Sequence, residues 1–127
     1  MSTPGIRSYR DLTVWQEAMT LAANIYGLTK SFPRDEVYGM TAQLRRSATS
    51  VPANIAEGYG REAVGSYVQF LKIARGSLRE VETHLLLAQR VGLAAEPQVE
   101  PSLAQCDRVG KLLHGLIRSL QKDAVDD

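Results

Sequence analysis

Apolar residues recur along this chain at three- and four-residue intervals, and glycine and proline cut the recurrence into four segments. The first runs from about Asp11 to Ser31. Asp11 is the expected N-cap, and Leu12, Trp15, Met19, Ala22 and Tyr26 form its apolar face. Phe32-Pro33 ends it, because the residue before a proline is pushed out of the helical region. The second runs from about Asp35 to Glu57, with Val37, Met40, Leu44, Ala48, Val51 and Ile55 on one face. Pro52 cannot donate to the carbonyl of Ala48, so a break there is one reading. The spacing stays in phase through Val51 and Ile55, which favours a continuous helix kinked at Pro52. Gly58 is the expected C-terminal stop, and Gly60 a second joint.

The third segment, from about Glu62 to Val91, carries the most regular pattern. Val64, Leu71, Leu78 and Leu85 repeat every seven residues, and Tyr67, Ala74, Val81 and Ala88 interleave with them. Gly92 ends it. The fourth runs from about Gln98 to Lys122, with Pro97 and Pro101 suited to an unbonded first turn. Leu103, Cys106, Gly110, Leu113, Ile117 and Leu120 make one stripe; Val109, Leu112 and Leu116 make a second. A narrow polar strip of Asp107, Lys111, His114, Arg118 and Lys122 remains. No segment reads as a strand. Short connections favour antiparallel neighbours, so the expected fold is all-α: an up-down-up-down antiparallel four-helix bundle over residues 9–122, with a Pro-kinked second helix and flexible termini at 1–8 and 123–127.

The doubled stripe on the fourth helix exceeds the arc of roughly 100° that a bundle helix needs. One reading buries it between two neighbouring helices. The other places Val109, Leu112 and Leu116 at a subunit interface, and Ile73 and Leu87, outside the third helix's seam, add weight to a homo-oligomer.

At 127 residues the chain is one domain. Its apolar runs are too short to span a bilayer and residues 1–10 hold no apolar leader core, so no membrane association and a cytoplasmic location are expected. The single cysteine, Cys106, excludes an intrachain disulfide.

Little in the chain suggests catalysis. His84 and His114 have no carboxylate or second histidine three or four residues on, so no metal is expected. No nucleophile–base pair is legible, Cys106 falls on an apolar stripe, and Gly58 and Gly60 lack the Lys-Ser/Thr of a phosphate loop. No enzyme activity and no cofactor are expected. Asn54 is read as a structural amide that satisfies carbonyls freed by Pro52.

Net charge is +1, but it is unevenly spread. Residues 37–90 hold seven basic and four acidic side chains, whereas residues 91–127 hold four basic and six acidic. Lys72, Arg75 and Arg79 share one face of the third helix. Arg45 and Arg46 precede Pro52, and Arg61 follows the second helix. These six could contact phosphates, with Tyr59 available to stack on a base. A solvated face partly neutralised by Glu80 and Glu82 is the plainer account.

Several strings carry a family resemblance: Tyr9-x-Asp11-Leu12-x-Val14-Trp15-Gln16, Phe32-Pro33, Tyr38-Gly39-Met40-Thr41-x-Gln43-Leu44-Arg45-Arg46, Val51-Pro52-Ala53-Asn54-Ile55-Ala56-Glu57-Gly58 and Gly76-Ser77-Leu78-x-Glu80-x-Glu82-Thr83. From Tyr9 to about Gln121 the chain resembles the four-helix-bundle proteins of the 23S rRNA intervening-sequence family, which is related to the accessory variability proteins of diversity-generating retroelements. The resemblance implies a homopentamer and a nucleic-acid partner. The expected function is an oligomeric scaffold or adaptor that presents repeated basic patches to structured RNA or another nucleic acid. The alternative is a protein–protein adaptor with no nucleic-acid affinity.

Overall fold

A computed structural model describes residues 5–126 and places four α-helices in chain order: α1 (Thr13–Thr29), α2 (Met40–Tyr59), α3 (Val64–Arg90) and α4 (Glu96–Asp126). Each helix packs on its two neighbours in cyclic order, α1 on α2, α2 on α3, α3 on α4 and α4 on α1. Named contacts fix the directions. Ser50 meets Ser77 while Gly58 meets Tyr67 and Phe70, so α2 and α3 run antiparallel. The result is a four-helix bundle. Among the described residues no helix is long and apolar enough to cross a membrane.

The core is the interior of that ring. Leu21, Ile25, Leu44, Val51, Ile55, Leu71, Leu78, Leu85, Val99, Val109 and Leu113 are fully enclosed. The seven-residue seam of α3 is buried at Leu71, Leu78 and Leu85, but Val64 at its start is exposed.

Several local expectations are corrected. Asp11 does not cap α1. It closes a 3-10 turn, Tyr9–Asp11, in a reciprocal box: the Ser8 hydroxyl accepts from the Arg10 amide at 3.2 Å, and the Asp11 carboxylate accepts from the Arg7 and Ser8 amides at 2.9 and 3.2 Å. Residues 7 and 8, expected to be flexible, are thus hydrogen-bonded; at the other end α4 continues to Asp126, and residues 1–4 and 127 lie outside the described residues. The buried face of α1 is Val14, Ala18, Leu21, Ala22 and Ile25, with Leu12 and Trp15 packed partly against the core; of the expected face, Met19 and Tyr26 are instead 44% and 43% exposed. α2 starts at Met40, after a separate 3-10 turn over Arg34–Glu36, which leaves Val37 exposed.

The second helix runs unbroken through Pro52 and ends at Tyr59. Gly58 is therefore inside it, not its stop. Its role is close approach: a Cβ there would stand 2.8 Å from the Phe70 Cβ and 3.1 Å from the Tyr67 backbone oxygen. Gly92 does end α3, with φ +84, and the Leu93 amide returns to the Ala88 carbonyl at 2.9 Å. Pro101 sits in the second turn of α4, since the Val99 amide already bonds the Ala95 carbonyl.

Candidate functional site

Helical periodicity aligns Lys72, Arg75 and Arg79 on one flank of α3, and α4 lies beside that flank. The polar strip of α4 faces it. Arg75 and Arg79 from α3 line one groove with Asp107, Gly110, Lys111 and His114 from α4, enclosing about 370 Å³. Gly110 forms its floor, since a Cβ there would touch Leu78 Cδ2 at 3.4 Å and lie 3.9 Å from an Arg79 Nη. Asp107 is the one acid in the lining, and it pairs with Lys111 at 3.2 Å. Arg79 donates to Glu82 at 2.7 Å, with the Glu82 side chain only 26% exposed, whereas the Asp107–Lys111 pair is largely solvated and contributes little to stability. Lys72, one turn before Arg75, is exposed beyond the lining. Lys111 and His114 were missed as site residues. Their signal was present in the α4 strip, but its meaning depended on which helix it faced.

The other predicted cations lie elsewhere. Arg45 is half-buried between α1 and α2: its Nε donates to Thr29 Oγ1 at 2.9 Å and its guanidinium lies 4.5 Å from the Tyr26 ring centroid. Arg46 is exposed on α2. Arg61 pairs with Glu57 at 3.4 Å and covers the Phe70 ring at 4.7 Å. Tyr59 packs edge-on against Tyr67, centroids 6.1 Å apart. Six cations expected to act together are thus divided among different edges of the bundle.

The expected subunit interface also changes. Val109 is fully enclosed by its own chain, so it offers no surface to a second subunit. Leu112 and Leu116 are half-buried against the same core. Gln105 donates to the Glu17 carbonyl at 2.9 Å and Arg108 pairs with the Glu17 carboxylate, which covers that flank of α4 with α1. None of the exposed large apolar residues lies on α4 among the described residues; they are Met19, Tyr26, Val37, Tyr38, Val64, Ile73, Leu86, Leu87 and Val91. Met19 and Tyr26 line a groove of about 450 Å³ between α1 and α2. Tyr9, Trp15 and Ala22 share its first wall, and Thr49, Pro52, Ala53 and Ala56 form the other.

Polar groups inside the bundle are mostly paired. The Ser50 and Ser77 hydroxyls meet at 2.8 Å across α2 and α3. Asn54 Nδ2 donates to the Ser50 carbonyl and hydroxyl at 2.8 and 2.9 Å, so its partner is Ser50 and not the Ala48 carbonyl freed by Pro52. His84 is half-buried, and its Nδ1 is enclosed without a hydrogen-bond partner among the described residues. Burial pushes the Cys106 thiol up to about 12, with Glu82 adding to the rise and Arg79 opposing it, so a thiolate is not available there at neutral pH.

Comparison with known proteins adds two findings. The model of the family described as 23S rRNA-intervening sequence protein matches residues 10–115. A solved structure from Bacteroides thetaiotaomicron VPI-5482, a protein with unknown function from the S23 ribosomal protein family, superposes with a TM-score of 0.74 at 27% identity, covering 83% of this chain and 98% of its own. No curated protein matches.

Proposed function

The chain belongs to the 23S rRNA-intervening sequence protein family, and from that membership we propose that it is a cytoplasmic, non-enzymatic scaffold whose assembled copies hold structured RNA by its phosphates. The α3–α4 groove carries this reading. Arg75, Arg79 and Lys111 converge on it from two helices, His114 joins them, and Gly110 keeps its floor low. Such a row contacts phosphates without reading bases, which suits a scaffold that recognises shape. The reading requires no reaction, in keeping with a buried, un-ionised Cys106.

The test is RNA affinity against salt. Three permanent cations predict a log–log slope of roughly −2 to −3, at about −0.7 to −0.9 per contact. The double variant Arg75→Glu/Lys111→Glu should lose binding at low salt while keeping its helical spectrum. Undetectable wild-type binding at low salt, or binding indifferent to the double reversal, favours a protein–protein adaptor instead.

A further inference from the structure

Arg45 is a half-buried cation with no acidic partner among the described residues. Thr29 and Tyr26 hold it in place, but neither supplies a negative charge. Charges withdrawn from water are ordinarily paired. Arg45 also stands at the Tyr26 end of the apolar α1–α2 groove, one turn before Thr49 in its wall. A complementary surface therefore needs one carboxylate followed by apolar side chains along the groove.

This chain carries such a surface. Ile73, Glu80 and Leu87 repeat at seven residues on one flank of α3, and all three are exposed. Glu80 forms no ion pair among the described residues. Seven helical residues span about 10 Å. Pro52, in the groove wall, lies seven residues beyond Arg45. With Glu80 set on Arg45, either Ile73 or Leu87 comes level with Pro52, whichever way α3 runs along the groove.

We propose that the α1–α2 groove of one copy receives the Ile73–Glu80–Leu87 flank of α3 from a second copy, with Glu80 paired to Arg45. The contact joins two different patches, so it is heterologous and repeats from copy to copy. It leaves the α3–α4 groove open, because Arg75 and Arg79 occupy another flank of α3. The docking rests on the assembled-scaffold part of the reading above and is independent of RNA binding.

Sedimentation equilibrium at micromolar concentration tests it. The wild type should sediment as a multiple of the single-chain mass. Arg45→Glu and Glu80→Arg should each shift it toward one chain, and the two together should restore assembly by exchanging the charges. If Arg45→Glu fails to fold, Leu87→Glu, at an exposed position, should still dissociate the complex. An assembled wild type indifferent to Glu80→Arg and to Leu87→Glu overturns the docking alone, as does a double reversal that stays dissociated. A wild type of single-chain mass overturns the docking and the assembled scaffold together, while the salt dependence of RNA binding is read separately.

Discussion

Gly58 and Phe70 approach so closely that a methyl group on Gly58 would stand 2.8 Å from the Phe70 Cβ. The glycine is what lets α2 and α3 come together just after their connecting turn. Tyr67 limits any adjustment, because its backbone oxygen would lie 3.1 Å from the same methyl.

Gly58→Ala should therefore destabilise the protein. Alanine gains about 1 kcal/mol of helix propensity. Overpacking costs about 1–3 kcal/mol, and because part of the obstruction here is backbone the cost falls in the upper part of that range, about 2–3 kcal/mol. The expected net loss is about 1–2 kcal/mol, read as a lower urea midpoint at unchanged slope. A midpoint equal to or above the wild type would show that the helices separate without strain.

Gly110 should respond in the opposite sense. A methyl there meets Leu78 Cδ2 at 3.4 Å and the Arg79 guanidinium nitrogens at 3.9 and 4.0 Å, all ends of flexible side chains. Gly110→Ala should gain up to about 1 kcal/mol, seen as a rise of roughly 2–5 °C in Tm. Gly110→Glu should fold but bind RNA at least about tenfold more weakly at low salt, because it sets a carboxylate among Arg75, Arg79 and Lys111. Full RNA affinity in that variant would remove the groove from the binding surface.

Cys106 sets an alkaline limit on stability. Its thiol is raised in the fold from 9.0 to about 12. Above pH 9 the unfolded chain releases this proton while the folded chain retains it, so stability falls as pH rises toward 12, by at most about 1.4 kcal/mol per pH unit. Tyr67, raised from 10.0 to about 12 by burial and by Tyr59, adds to the fall above pH 10. Cys106→Ala should flatten the loss between pH 9 and 10 in denaturant titrations. The native thiol should also resist a disulfide reagent at pH 8 until the protein unfolds; immediate reaction would contradict its enclosure.

The four helices were legible because apolar spacing and the prolines and glycines agree about them. Gly92 could be read as a stop, since its positive φ suits glycine. The buried face of α1 was only partly legible, since Ala22 is enclosed but Met19 and Tyr26 are exposed. Val14, Ala18, Leu21 and Ile25 form one apolar row, and Trp15, Met19, Ala22 and Tyr26 form another beside it. Periodicity cannot say which row faces inward. On α4 the same ambiguity resolved the other way: Val109 went into the core, and Leu112 and Leu116 were half-covered. The basic site was half legible. Arg75 and Arg79 follow from spacing along one helix, whereas Lys111 and His114 depend on which helix packs beside α3. Arg45 and Arg61 carry the same charge but are engaged by aromatic rings and by Thr29 or Glu57.

The bond from Gln105 to Glu17 spans 88 residues of chain, and the Arg108–Glu17 pair spans 91. By contrast, α2 and α3 are joined by a short turn and meet at Gly58 and Phe70. Closing a longer loop has a larger entropic cost, which grows with the logarithm of its length. The α2–α3 hairpin is thus expected to form early, and the edge between α1 and α4 to zip shut last. The same edge should open first in the native state, giving the amides of α1 near Glu17 faster hydrogen exchange than those around Leu71 and Leu78. The seam that joins the two ends of the chain is then where the bundle breathes.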